Sequence, residues 1–266
     1  MDTNWQMRSA AAAVTGARHL RAGRNGQDAA AAWTGERMAA EPLGAIVVCD
    51  GCGSGASSEV GARLGAQLVL AALTAELLAG QPPTSAELWA RVRGEVAEVL
   101  ARIVAAMPGD REQIIHDHFL FTIVAAAVAG DHVGVWVLGD GAYAIAGGQR
   151  AVSSPRVLGP FENNQPPYLA YDLLGAPATA HLETAHVPSG SVIVATDGVA
   201  EIDLASLTSP SEIERYLRHS DALRRRLAVL ATSGERIDWH ERRIDRRAAS
   251  LQDDGAIAIL AWGGLS

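Results

Sequence analysis

The chain contains no lysine; all 22 of its basic residues are arginine. A cluster of carboxylates in this protein therefore has no ammonium group to neutralise it. Cysteine is almost as scarce. Cys49 and Cys52 form a C-x-x-C pair, but Cys49 falls inside an apolar run rather than at the opening of a helix, which excludes a thioredoxin-like couple. Two sulfurs without nearby ligands also fall short of a structural zinc site. One small buried apolar residue and one loop residue are expected, in a reducing compartment. Long uninterrupted apolar runs are missing as well, since Leu64–Gly80 is broken by Gln67, Thr74 and Glu76. The first residues include Asp2 and Asn4 and no cationic region ahead of an apolar stretch, which makes a poor signal peptide. No membrane partner and a cytoplasmic location are the expectations.

What is present points to a globular fold. Hydrophobic residues make up 48% of the 266 and mean hydropathy is +0.10, enough for a sizeable core. We read residues 1–266 as a single domain, without internal repeats. The net charge of −8 argues against nucleic acid as the main partner. Charge is uneven. Residues 203–250 hold ten Arg against eight acids, and the remainder twelve Arg against twenty-two acids. That segment, with Arg224, Arg225, Arg226, Arg242, Arg243, Arg246 and Arg247, is either a solvated helical face or a variable basic surface for something anionic.

The stretch from Ile46 to Gly55 organises the chain. A β-branched run, Ile46-Val47-Val48-Cys49, ends in Asp50 and passes into a glycine-rich loop. Ser58 follows, and Val60, Leu64, Leu68, Ala72 and Ala75 recur at helical spacing. Asp50 thus sits at a strand end where its carboxylate and the Gly51 carbonyl could hold a metal. Taken alone, the stretch reads first as an ordinary strand–turn–helix with Asp50 as a turn residue.

Along the chain, Trp5–Val14 reads as a first strand, Gly16–Gln27 as a loop, and Asp28–Trp33 as a strand. The spacing predicts a helix over Ser58–Leu78 and a second, after Thr84 and Glu87 at capping-box spacing, through Ile103. Strands are expected at Phe119–Ala127, His132–Leu138 and Ala142–Ala146, with turns short enough for antiparallel hairpins at Gly130-Asp131 and Gly139-Asp140-Gly141. His116-Asp117-His118 reads as alternate residues entering a strand rather than as a metal site. Ser153–Tyr168 looks irregular, with turn chemistry at Asn163 and Asn164. Strands at His181–Val187 and Ser191–Thr196 follow, then helices from Ser209 to about Ala249, and a last strand at Ala256–Trp262. The order is α+β, with stacked antiparallel sheets and helices outside.

Four acidic positions share one local grammar. Asp28 precedes a strand, Asp50 and Asp197 each follow one and precede Gly, and Asp253 lies just before the last. Carboxylates converging on one sheet edge repel unless a divalent cation neutralises them, and an all-oxygen set selects Mg²⁺ or Mn²⁺. Two such ions would bind and acidify a water for in-line attack on a phosphoryl group.

Here the motifs become specific. Gln27-Asp28-Ala29, Val48-Cys49-Asp50-Gly51-x-Gly53-Ser54, Leu138-Gly139-Asp140-Gly141, Ala195-Thr196-Asp197-Gly198 and Asp253-Asp254 resemble, in order and spacing, the metal-dependent protein phosphatase 2C family, in its prokaryotic branch. The resemblance implies a four-layer α-β-β-α sandwich of two antiparallel sheets and an enzyme acting on phosphoserine and phosphothreonine proteins, linked to a cognate kinase. It implies two Mg²⁺ or Mn²⁺ ions at Asp28, Asp50, Asp197 and Asp253, with Asp50 bridging and Gly51 donating its carbonyl. Asp140 would stand near an optional third ion, unless Gly139-Asp140-Gly141 is only a hairpin turn. Three departures stand out. Many members carry Arg where this chain has Gly23; His19, Arg21 or Arg24 would then hold the phosphate, with Arg24 preferred for its closeness to Asp28. Cys52 stands where some members have a His proposed as general acid. Asp254 replaces the usual Asn. The alternative is a pseudophosphatase that keeps the fold and binds phosphoproteins without turnover.

Overall fold

The run that ends at Asp50 is apolar at consecutive positions because both of its faces are covered. In the computed structural model, which describes residues 7–37, 41–148, 155–159, 161–162, 165–202, 204–219 and 221–263, it forms strand β3 (Glu41–Gly51). Leu43, Ala45, Val47 and Cys49 belong to a core shared with helices, while Ile46 and Val48 belong to a core shared with a second sheet. A strand buried on both faces has no polar side to alternate with.

β3 lies second in an antiparallel sheet of order β2 (Ala29–Arg37), β3, β4 (Phe121–Ala129), β5 (His132–Leu138), β8 (His181–His186). The other sheet has the order β1 (Arg8–Val14), β12 (Gly255–Trp262), β9 (Gly190–Ala195), β6 (Gly141–Gly147), β7 (Arg156–Leu158). Val124, Val135, Ile46 and Val48 from the first pack with Val192, Val194, Ala258 and Leu260 from the second. Helices α2 (Ser58–Leu78) and α3 (Ala86–Ala106) cover the outer face of the β3 sheet through Val69, Leu73, Leu88 and Trp89. Helices α7 (Pro210–Arg218) and α8 (Ala222–Leu230) cover the other sheet through Ile213, Tyr216, Leu223 and Leu227. These are the four layers, α-β-β-α, that the sequence led us to expect. By length and composition α2 could cross a membrane, in spite of its polar interruptions. It is instead a core helix, with nine buried residues between Ser58 and Leu77.

Several local expectations are corrected. The loop Gly16–Gln27 contains a six-residue helix, α1 (Ala17–Ala22), ended by Gly23; it is too short to show a periodic stripe. Ser85, not Thr84, caps α3: its hydroxyl oxygen accepts the Leu88 amide at 3.3 Å and its O–H donates to Glu87 at 2.6 Å. His116-Asp117-His118 closes a helix, α4 (Arg111–His118), capped by Asp110, whose carboxylate accepts the Gln113 amide at 2.9 Å. Only Ile114 and Ile115 of α4 are buried, so no apolar spacing announced it.

Gly139-Asp140-Gly141 is not a hairpin turn, because β5 and β6 lie in different sheets and the segment crosses between them. Pro188-Ser189 makes the same kind of crossing from β8 to β9. The stretch 153–168 includes β7, pairing with β6. Short helices α5 (Asp197–Ala200) and α6 (Leu204–Leu207) follow β9. The expected helices up to Ala249 stop at Leu230, and a hairpin of β10 (Gly234–Asp238) and β11 (Arg243–Arg247) takes their place. Arg-Ile-Asp occurs at 236–238 and again at 243–245, a strand period hidden by the arginine-rich composition. The Asp238 carboxylate accepts the amides of His240 and Glu241, each at 3.0 Å, and so turns the hairpin. Trp5, Asn163 and Asn164 lie outside the described residues.

Trp89 joins α3 to β5. Its ring stacks on Trp136 at 6.0 Å, and its N–H donates to the Pro83 carbonyl at 2.8 Å. Trp89→Ala should therefore lower stability by about 3–5 kcal/mol, the range for removing a buried aromatic, as read by denaturant unfolding. Trp89→Phe should fall between that variant and the parent.

Candidate metal centre

Five aspartates reach one end of the two sheets because each ends or begins a strand there. Asp28 precedes β2, Asp50 is the last residue but one of β3, and Asp140 lies in the β5–β6 crossing. Asp197 follows β9 as the first residue of α5, and Asp253 stands two residues before β12. The registers align these ends: Ala29 pairs with Cys49, Asp50 with Thr122, and Ile257 with Ala195. All five line one cavity of about 530 Å³, together with Gly51 and Cys52. A larger and more open hollow of about 1050 Å³ lies between α7 and α8. Its lining acids Glu212 and Asp221 are each ion-paired with arginines, whereas the smaller cavity gathers six aspartates, so the smaller one is the candidate site.

The loops around the cavity are fastened by Asp254. Its carboxylate is buried, accepts the Gly16 amide at 2.7 Å and the Gln27 amide at 2.7 Å, and lies 2.5 Å from His19 Nδ1. The backbone of this turn is wedged between two glycines. A Cβ on Gly16 would come within 2.0 Å of the Asp253 carbonyl oxygen, and one on Gly198 within 2.0 Å of that of Asp254. Asp253 is held beside them, its Oδ1 accepting the Asp254 amide at 3.0 Å. On the other side, the Gln27 side-chain amide donates to Ser58 Oγ at 2.7 Å and ties the approach to β2 to the start of α2.

The electrostatics follow from burial and crowding. Burial pushes the Asp28 carboxyl well up, opposed by hydrogen bonds with Asp50 and from the Thr196 hydroxyl at 2.6 Å, and reinforced by Asp254 and Asp197. Burial also raises Asp50, helped by the charges of Asp28, Asp197 and Asp140. Asp197 opens toward water yet is raised too, by burial of its carboxyl and by Asp253, against the Gly198 amide that donates to it at 2.6 Å. Burial and Asp197 push Asp140 up to about 6. Each of these groups resists ionising for want of a positive neighbour. A divalent cation supplies one, and the carboxylates that line the cavity are hard oxygen donors, so the residues fit Mg²⁺ or Mn²⁺. His19, Asp253 and Asp254 also bring one potential ligand atom each within 4.8 Å of one another.

The cationic residues expected nearby separate. His19 lines the cavity, mostly buried. Arg21 is exposed and donates to the Ala17 carbonyl at 3.0 Å and to the Gln252 side chain at 3.1 Å. Arg24 is exposed and reaches the Gly53 carbonyl at 3.5 Å, on the rim. Arg18, which sequence reasoning passed over, lies 3.5 Å from Asp253; the helical turn of α1 that puts it there gave no signal. The described residues of 203–250 contribute nothing to the cavity lining, whereas Gln165, Pro166, Tyr168 and Tyr171 do. Arg224 and Arg225 are paired with Asp221. The two cysteines are free. Cys49 is core, and Cys52 Sγ lies 3.1 Å from Ser54 Oγ. Burial raises the Cys52 thiol, but hydrogen bonds with Ser54, Tyr168 and two backbone groups outweigh it, and its net shift is downward.

A sequence model of the family described as protein phosphatase 2C matches residues 15–240. The fold is similar to the catalytic domain of the serine/threonine protein phosphatase PstP in complex with two manganese ions, at 16% identity over 97% of this chain and 99% of that one, TM-score 0.56. It is also similar to a bacterial serine phosphatase, at 16% identity over 98% and 97%, TM-score 0.53. A third likeness is to the phosphatase domain, with a fragment of the regulatory domain, of SpoIIE from Bacillus subtilis: 13% identity, 99% of this chain and 66% of that one, TM-score 0.51. At these identities the likeness is one of fold. Comparison with curated proteins gave no match.

The raised carboxyls make the metal-free protein sensitive to pH in a definite direction. Asp140, pushed up to about 6 from the ordinary 3.8 of an aspartate, holds its proton more tightly in the folded chain than in the unfolded one. The stability it contributes is complete below pH about 4 and is lost as pH rises through about 6. In chelator, Asp140→Asn should therefore melt higher than the parent at pH 8, and the gain should vanish by pH 4. Equal melting temperatures at pH 8 would contradict the assignment.

Proposed function

The chain belongs to the protein phosphatase 2C family, and from that premise we propose that it is a divalent-metal-dependent phosphatase of phosphoserine and phosphothreonine proteins. One observation carries the proposal: Asp50 lines one cavity with Asp28, Asp140 and Asp197, and its carboxyl feels the charge of all three, so it stands at the centre of the acidic set. In this reading Asp28, Asp50, Asp197 and Asp253 would hold two Mg²⁺ or Mn²⁺ ions, with Asp50 serving both and the Gly51 carbonyl as a further ligand. Asp140 offers a place for a third.

Ions held there would supply Lewis acidity, which yields an acidified water as nucleophile and withdraws charge from the phosphoryl oxygens. The chain's own residues do the rest. The Thr196 hydroxyl and the Gly198 amide fix the Asp28 and Asp197 carboxylates in place. Asp254 holds His19 by Nδ1, which leaves the other ring nitrogen for a phosphate oxygen inside the cavity. Arg24, on the rim, is placed for the outer part of a phosphopeptide.

The same reading takes residues 1–266 as one domain, because β1 and β12 pair over all of β1 and put both ends of the fold in one sheet. It takes 203–250 as an accessory basic surface away from the cavity, and it extends to a cytoplasmic setting with a cognate kinase. A pseudophosphatase that only binds phosphoproteins is the second reading, favoured by Gly23, which ends α1 where many members carry Arg.

Hydrolysis of p-nitrophenyl phosphate and of a phosphothreonine peptide should require Mn²⁺ or Mg²⁺ and stop with chelator. Asp50→Asn should cost at least about a hundredfold in kcat, the size of losing a principal charge stabiliser, with weaker Mn²⁺ binding by calorimetry and an intact fold. A parent that binds Mn²⁺ but hydrolyses neither substrate would establish the second reading instead. For phosphate capture, His19→Gln should raise KM for the phosphopeptide more than Arg24→Ala does. The reverse order would return the role to Arg24.

A further inference from the structure

A second set of metal-ligating side chains lies at the opposite end of the β3 sheet. His132, the first residue of β5, and His186, the last of β8, are paired in register on adjacent antiparallel strands. Residues paired in this way carry their side chains on one face. Their rings lie 4.3 Å apart, centroid to centroid, at 65° to one another. Asp131, in the turn between β4 and β5, brings Oδ1 to 2.9 Å from His132 Nδ1. The turn is fixed against the far strand, since the Val187 amide donates to the Asp131 carbonyl at 2.8 Å. One ligand atom from each of Asp131, His132 and His186 lies within 4.8 Å of the other two.

The donor set differs in kind from that of the carboxylate cavity. Two imidazoles and one carboxylate suit zinc and its neighbours Co²⁺ and Ni²⁺, whereas Mg²⁺ and Mn²⁺ prefer oxygen. Ligands at about 2.0 Å from a tetrahedral ion stand about 3.3 Å apart, so the spacing of Asp131 Oδ1 and His132 Nδ1 needs only a small rotation to meet it. The site is open to solvent: the His132 and Asp131 side chains are 42% and 48% exposed, and His186 is exposed. β5 is seven residues long and ends beside the Asp140 crossing, which at about 3.3 Å per residue separates the two sets by roughly 20 Å.

We propose that Asp131, His132 and His186 form a binding site for a zinc-class transition-metal ion, distinct from the Mg²⁺- or Mn²⁺-type centre, that clips the edge strand β8 to β5. Among the described residues β8 is the last strand of its sheet, with pairing on one side only. An ion held between its end and its neighbour's start resists fraying there. It also blocks that end of the edge against pairing with another chain.

The test is calorimetric titration of the full chain with Zn²⁺ in saturating Mn²⁺, so that the carboxylate cavity is filled. The parent should bind one Zn²⁺ per chain and melt at a higher temperature with it. Binding should weaken at least about a hundredfold in His132→Ala and in His186→Ala, above the loss typical of disturbing a ligand's supporting partners. Mn²⁺ binding should be unchanged in both, which reports that the fold and the other centre are intact. Co²⁺ in place of Zn²⁺ should give visible absorption bands in the parent that both variants lose. Parent-like Zn²⁺ binding in the two variants, or no Zn²⁺ binding by the parent under saturating Mn²⁺, would overturn the proposal.

Discussion

The Asp254 carboxylate, buried, accepting from Gly16 and Gln27 and in contact with His19, joins the approach to β12 to both ends of the segment between β1 and β2. Those segments carry Asp253 and Asp28, so the tie sets how far apart two of the crowded carboxylates can move. Without it the two backbone amides would be left buried and unpaired, at a cost of about 1–3 kcal/mol each. Gly16 and Gly198 let the turn come this close. An Asn in place of Asp254 could accept through one oxygen only, whereas this chain uses both, one for Gly16 and one for Gln27 and His19.

That rigidity gives the acidic set its meaning. Flexible carboxylates would swing apart into water and relieve their repulsion, but these are anchored at strand ends, with hydrogen bonds from Thr196 and from the Gly198 and Asp254 amides. What remains is a cavity in which burial and like charge disfavour ionisation of Asp28, Asp50, Asp140 and Asp197 together. Such a place suits a hard divalent cation, since lysine is absent from the chain and Arg18 reaches only Asp253, at the edge of the set.

The large features were legible in the sequence because each has one dominant physical cause. The β3 run, the α2 spacing and the Ser209-Pro210 helix start each announce a burial pattern or a cap, and the structure has them where they were expected. The acidic positions were legible because Asp recurs where a strand ends or begins, with Gly next at Asp50, Asp140 and Asp197. The misses arose where short-range signals compete. Gly139-Asp140-Gly141 has hairpin chemistry, and only the sheet assignment of β6, set by its pairing with β9, turns it into a crossing. In α4 polar residues surround two buried isoleucines, too few for a stripe. The β10–β11 hairpin alternates arginine and acid around single isoleucines, a pattern that composition made look like a solvated helix. The separation of His19 from Arg21 and Arg24 depends on the turn of α1, a six-residue helix that no periodicity could reveal.

The proposal that the carboxylate cavity takes two ions, with Asp50 serving both, is tested most directly by electron paramagnetic resonance of the Mn²⁺-loaded protein. Two ions sharing the Asp50 carboxylate should be exchange-coupled, with the narrowed hyperfine spacing of a manganese pair, and Asp50→Asn should lose that signature while keeping its fold. A parent spectrum of isolated Mn²⁺ at full loading, or a coupled spectrum that survives Asp50→Asn, would contradict the account.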